Sequence, residues 1–157
     1  MRFLNSKLKI ENTILQNIAK KYGTPAYCYS YKQLRENIND FKKNFKSISP
    51  LICFAIKSNT NLNLIKEIKK FGLGADVVSM GELMLALKAG ISPKKIVFSG
   101  VGKTSKEINF AIDKNILLIN SESKSEIIEI DKIAKIKKKQ VNICLLYTSD
   151  AADESVR

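Results

Sequence analysis

The apolar run Leu51-Ile52-Cys53-Phe54-Ala55-Ile56 breaks off at Lys57, and Ser58-Asn59 then suit a turn. A lysine at the lip of a strand buried on both faces sits partly out of water. Desolvation disfavours an ammonium and leaves more of the neutral amine, the form that attacks a carbonyl and forms a Schiff base. The ordinary alternative is a strand-ending lysine whose stem lies on apolar surface with its head in water. Later apolar runs also end in polar groups. One carries Asp76, Ser79 and Glu82, another Ser99-Gly100-Val101-Gly102-Lys103-Thr104, and a third Asn120-Ser121-Glu122-Ser123. Ser79, Thr104 and Ser123 fit helix N-caps, with Glu82, Glu107 and Glu126 completing capping boxes three residues on. Asp76 fits capping less well. A carboxylate near the start of an apolar strand needs a partner if buried, and a nearby lysine is a candidate.

Other chemistries are excluded. The 157 residues contain no histidine, which removes Ser-His and Cys-His catalysis and histidine-ligated metal sites within the chain. Cys28, Cys53 and Cys144 lack CxxC spacing and read as small core hydrophobes in a reducing compartment. Gly102-Lys103-Thr104 resembles the end of a phosphate-binding loop, but the motif's first glycine would fall on Val97. No GxGxxG is present either, since Val77 and Ser105 stand where glycines would be required. A formal charge of +12 invites nucleic acid, yet the arginines are only Arg2, Arg35 and Arg157. The lysines lie on polar helix faces, as in Lys66-Glu67-Ile68-Lys69-Lys70, so a solvated face explains them. No apolar run approaches a membrane span, and the N-terminus lacks a signal-peptide core. The expectation is a cytoplasmic protein with neither a nucleic-acid nor a membrane partner.

The elements that must position these residues follow from periodicity. Residues 1–10 read as an edge strand, 11–21 as a short amphipathic helix, and Ala26–Tyr29 as an aromatic strand. Ser30 caps a helix to about Phe45, with Leu34, Ile38, Phe41 and Phe45 on one face. From Leu51 a regular alternation sets in. Strands are predicted at 51–56, 75–79, 95–98, 116–119 and 141–145, with helices at about 61–71, 80–89, 104–114 and 123–138. This βα repetition implies parallel strands joined by crossover helices. Periodicity leaves open a doubly wound sheet or part of a (β/α)8 barrel. In both, functional groups gather at the C-terminal strand ends, where Lys57 lies.

Several runs together carry a family resemblance. They are Gly23-Thr24-Pro25-Ala26-Tyr27-Cys28-Tyr29, Phe54-Ala55-Ile56-Lys57-Ser58-Asn59, Gly74-Ala75-Asp76-Val77-Val78-Ser79-Met80-Gly81-Glu82-Leu83, Ile96 through Thr104, and Ile119-Asn120-Ser121-Glu122-Ser123. In order, they resemble the N-terminal half of the diaminopimelate decarboxylases and cover most of residues 20–145. The wider group includes ornithine and arginine decarboxylases and alanine racemase. Its architecture is a pyridoxal-phosphate-binding (β/α)8 barrel with a separate β-domain. The resemblance implies an α/β fold holding about five of eight βα units. Residues 1–25 are then a lead-in whose strand belongs to the β-domain, and 26–145 the first part of the barrel. It further implies Lys57 as the catalytic, cofactor-bonding lysine of pyridoxal 5'-phosphate and Asp76 as its acidic partner beside the cofactor. Glu82 is a possible supporting acid. The implied reaction takes meso-2,6-diaminopimelate to L-lysine in a homodimer, with a small-molecule amino acid as substrate.

The family pattern expects Arg-x-Asn-Pro after Val141-Asn142-Ile143-Cys144-Leu145, but the chain continues Leu146-Tyr147-Thr148-Ser149. Residues 146–157 break both the match and the Lys-Ile-Asn composition, and read as foreign to the family. The family's glycine-rich phosphate loop, ring-stacking histidine and substrate-binding arginines have no counterpart here. The expectation is an N-terminal fragment, inactive alone and prone to aggregate through an unclosed barrel edge. Competing readings are a related decarboxylase of ornithine, arginine or carboxynorspermidine, a non-catalytic pyridoxal-phosphate carrier, and a basic nucleic-acid-binding domain.

Overall fold

A computed structural model describes residues 2–4 and 7–146; the tail from residue 147 lies outside the described residues. The chain forms two compact units, the first ending at Pro50 and the second beginning at Leu51.

In the first unit, β1 (Arg2–Leu4), β2 (Lys7–Ile10) and β3 (Thr13–Ile14) form an antiparallel meander. The single edge strand expected over 1–10 is therefore two strands. A tight turn follows at Glu11, in left-handed backbone (φ 51°). Thr13 and Ile14 pair back onto β2, which delays α1 to Leu15–Tyr22. The strand expected at 26–29 does not form. Aromatic β-propensity is realised only against a neighbouring strand, and this segment joins neither sheet; Tyr27 stays 90% exposed. Ser30 does cap α2 (Tyr31–Asn44), accepting from the Gln33 amide at 3.0 Å. Glu11 braces the same end, accepting from Ser30 Oγ at 2.7 Å and the Lys32 amide at 2.8 Å. On the predicted face Ile38 is buried, while Phe41 and Phe45 stack on each other yet stay exposed.

The second unit is the expected alternation. Strands β4 (Cys53–Ala55), β5 (Gly74–Val77), β6 (Ile96–Phe98), β7 (Leu118–Ser121) and β8 (Ile143–Leu145) form one parallel sheet in sequential order. Helices α3 (Leu62–Lys70), α4 (Met80–Lys88), α5 (Ser105–Asp113) and α6 (Lys124–Lys137) connect them. Sequential order decides the architecture that periodicity left open. A doubly wound sheet reverses its strand order at a switch point, and a barrel never does. Among the described residues these are four consecutive βα units and a fifth strand of a partial barrel.

The two faces of the sheet differ. Ala75, Val77, Ile96, Phe98 and Ile119 point to the helices and are fully buried with Ile65, Leu83 and Ile108. Each of these side chains larger than alanine contributes about 1.5–3 kcal/mol of burial. The alternate residues Ala55, Asp76, Val97, Leu118 and Asn120 face the other way and are only half-buried. Strand β4 accordingly departs from the expected burial on both faces, because it is an edge strand and its inward side is not covered. At its N-terminal end the sheet needs a glycine: a Cβ on Gly74 would lie 2.2 Å from the Lys95 carbonyl and 2.8 Å from Cys53 Sγ.

Candidate active site

The polar groups collect at the C-terminal ends of the strands. The Phe54↔Ala75 and Ala55↔Asp76 register places β4 so that a short 3₁₀ turn, Ile56–Ser58, opens beside Asp76. Ile56 anchors this turn, fully buried in the helix-facing core, and Ser58 Oγ donates to the Ala55 carbonyl at 2.7 Å. Lys57 therefore projects from a fixed strand tip. It is exposed, whereas the sequence had placed it partly out of water; an edge strand lacks the neighbour that would cover it. Among the described residues, its ammonium has no hydrogen-bond or ion-pair partner.

Asp76 meets a different group from the lysine expected. Its Oδ1 accepts from Ser99 Oγ at 2.5 Å, and Ser99 Oγ accepts in turn from Asn120 Nδ2 at 2.9 Å. One residue from each of β5, the end of β6 and β7 thus forms a row across the inward face. The direction of donation matters. Because the Asn120 amide donates to Ser99, the serine proton is committed to Asp76, which must accept it. Cys53 lies near enough for Asp76 to act on it: burial pushes its thiol up from the ordinary value, and the neighbouring carboxylate adds to that rise.

Above this row, the cap glutamates brace one βα turn to the next. Thr104 and Glu107 form the expected reciprocal capping box on α5. Glu107 Oε1 also accepts from the Met80 amide at 3.1 Å, at the start of α4. Hydrogen bonds, first from the Thr104 amide, hold its carboxyl below the usual carboxylate range. The other two boxes are not reciprocal as expected. Glu82 reaches the Val78 amide at 2.9 Å and Glu126 the Glu122 amide at 2.8 Å, each one residue beyond its cap. The serines keep their role, accepting from the Glu82 and Glu126 amides at 3.2 Å. Glu82 therefore braces the turn after β5, and its side chain is spent on backbone.

Sequence reasoning placed Ser99 and Asn120 at strand ends without giving either a role. Ser99 follows Phe98 and Asn120 follows Ile119, both fully buried toward the helices, so alternation alone sends the next side chain inward. That signal was available.

The parallel sheet in sequential order defines a segment of a (β/α)8 barrel, with Lys57 at the tip of its first strand. A family model described as pyridoxal-dependent decarboxylase, pyridoxal binding domain, matches residues 31–155. The chain belongs to that family. It is 41% identical over 150 residues to the diaminopimelate decarboxylase of Aquifex aeolicus, covering 96% of this chain and 35% of that protein. Against the Helicobacter pylori diaminopimelate decarboxylase it is 44% identical over 120 residues, covering 76% and 30%. The crystal structure of diaminopimelate decarboxylase from M. jannaschii in complex with L-lysine superposes with a TM-score of 0.86 at 36% identity, covering 89% of this chain and 34% of that one. The chain spans about a third of the length of the curated relatives it matches.

The family implies pyridoxal 5'-phosphate, and the donor set fits its aldehyde end. Lys57 offers an exposed primary amine, with no competing partner among the described residues, at a strand tip outside the packed core.

Proposed function

We propose that this chain supplies the cofactor lysine and the first acidic contact of a pyridoxal-phosphate-dependent decarboxylase acting on meso-2,6-diaminopimelate to give L-lysine. The observation that carries the reading is the placement of Lys57, on a strand tip anchored by Ile56 and beside the Asp76–Ser99–Asn120 row, in a chain of this family. When bound, pyridoxal 5'-phosphate supplies the electron sink for the pair left as carbon dioxide departs.

The chain's own residues do the holding. Lys57 Nζ would hold the cofactor through its aldehyde carbon. Asp76, oriented by the Ser99 hydroxyl, places negative charge on the inward face beside that lysine. Glu82 supports them by fixing the turn after β5. The substrate is a small amino acid, the expected assembly a homodimer and the compartment the cytoplasm. Among the described residues no helix is long and apolar enough to cross a membrane.

The test is chemical trapping. Borohydride added to the chain with pyridoxal 5'-phosphate should leave a pyridoxyl label on the Lys57 peptide, and Lys57→Ala should abolish it. Label that persisted elsewhere with equal yield in Lys57→Ala would sink the assignment.

A further inference from the structure

Lys103 is the least exposed cation of the second unit's strand-end rim, its side chain 1% exposed. Its ammonium donates to the Gly100 carbonyl at 2.7 Å, the Asn120 carbonyl at 2.6 Å and Glu126 Oε1 at 3.2 Å, and lies 5.7 Å from the Phe98 ring centroid. Three acceptors exhaust its three protons. A buried ion pair of this kind is weak support for stability, since a well-packed apolar pair of similar volume often does as well. What an apolar pair cannot do is fix two backbone carbonyls at hydrogen-bond distance from one point.

Those two carbonyls matter. Gly100 directly follows Ser99, and Asn120 is itself the end of the polar row. Gly100 has φ +94°, and a Cβ there would come within 3.2 Å of Val78 Cβ, so the turn after Ser99 presses on the end of β5. Glu126, the third acceptor, is held in place by the Glu122 amide and belongs to the first turn of α6. Lys103 thus ties the end of β6, the end of β7 and the start of α6 to one charge.

We propose that Lys103 is a positioning residue: its buried ammonium sets the separation of the β6 and β7 ends at which Asn120 and Ser99 deliver a proton donor to Asp76. The inference rests on the proposed reading for its consequence at Lys57, but the geometry stands without it.

The experiment uses the full chain, isotopically labelled, with the Asn120 side-chain amide and the Asp76 carboxyl carbon followed by NMR. In parallel, pyridoxyl trapping at Lys57 is measured per folded molecule. Ser99→Ala breaks the row directly and defines the resonance positions of a broken row. Lys103→Met should move both signals toward those positions and lower trapping severalfold, while Lys103→Arg should restore part of each. If Lys103→Met lowers the melting temperature but leaves both resonances and the trapping where the wild type has them, the residue is structural only and the proposal falls. Should Lys103→Met fail to fold, Glu126→Gln reads the same signals at equal shape; unmoved resonances there overturn the proposal, and moved ones support it. A wild-type chain whose Asn120 side-chain amide exchanges freely with water overturns it as well. Absence of wild-type trapping at Lys57 would count against the decarboxylase reading alone, because the resonances still decide the clamp.

Discussion

The two units of this chain give similar fractions of their length to α-helix, to opposite effect. Up to Pro50, Ile38 alone among the described residues is buried, and Tyr22, Tyr27, Phe41 and Phe45 all face out. From Leu51 on, strands and helices enclose a continuous core from Ile56 to Ile133. A helix with an apolar stripe stabilises a fold only where another surface meets it. Helices α3 to α6 each have the sheet to lie on, and the chain's chemistry is assembled on that sheet.

The largest expected contrast follows from this. Phe98→Ala, at 0% exposure, should destabilise the second unit by about 3–5 kcal/mol, whereas Phe41→Ala, at 49% exposure, should cost under ~1 kcal/mol. Denaturant melts of the two variants test it. Equal losses would mean that the first unit is as tightly built as the second.

Glycines give the next contrast. Gly74→Ala forces a methyl onto the Lys95 carbonyl and Cys53 Sγ, an overpacking that costs about 1–3 kcal/mol or more. Gly23→Ala, at φ +81° and ψ −178° with nothing within 4 Å, meets only backbone strain of about 1–3 kcal/mol. Melting both variants distinguishes a close approach from a left-handed turn.

Capping comes third, and carries a pH signature. Thr104→Ala should cost about 1 kcal/mol. Glu107 titrates below its ordinary range when folded, so its contribution is present above the unfolded value and is lost as pH falls through the folded one. Glu107→Gln should therefore flatten the acid side of the melting-temperature profile. Glu11 is held low in the same direction by the Lys32 amide and Ser30, but is fully exposed, and Glu11→Gln should flatten that profile less. Reversal of this order would break the distinction between the units.

The smallest effect is local to the site. Asp76→Asn removes the charge that adds to the rise in the Cys53 thiol, so alkylation of Cys53 at neutral pH should quicken severalfold. An unchanged rate would place Asp76's charge too far from β4 to act on it.

Much of the second unit was legible because its signals are local. Apolar runs and cap residues recur from one βα unit to the next, and all five strands overlap the predicted runs, four of them shorter and β7 shifted two residues along. The first unit was less legible. Ala26–Tyr29 has a strand's composition, but pairing is a property of two segments, and one segment's composition cannot supply the other. The capping glutamates show the same limit in miniature. The spacing Ser79 to Glu82 is the same as Thr104 to Glu107, yet only the latter closes a reciprocal box. The two cap residues differ in backbone, with φ −155° at Ser79 and −74° at Thr104.

By itself the sequence determined the βα alternation, the strand-end placement of Lys57, and, through its ordered motifs, the family. Side-chain period and capping chemistry depend on residues a few positions apart, so they can be read along the chain. Only the tertiary structure decided that the strands run in barrel order, that Asp76 is met by Ser99 and Asn120, and that Lys103 is buried against three acceptors. Those facts depend on register between strands more than twenty residues apart. Register is set by which faces bury together, and no single strand contains that information.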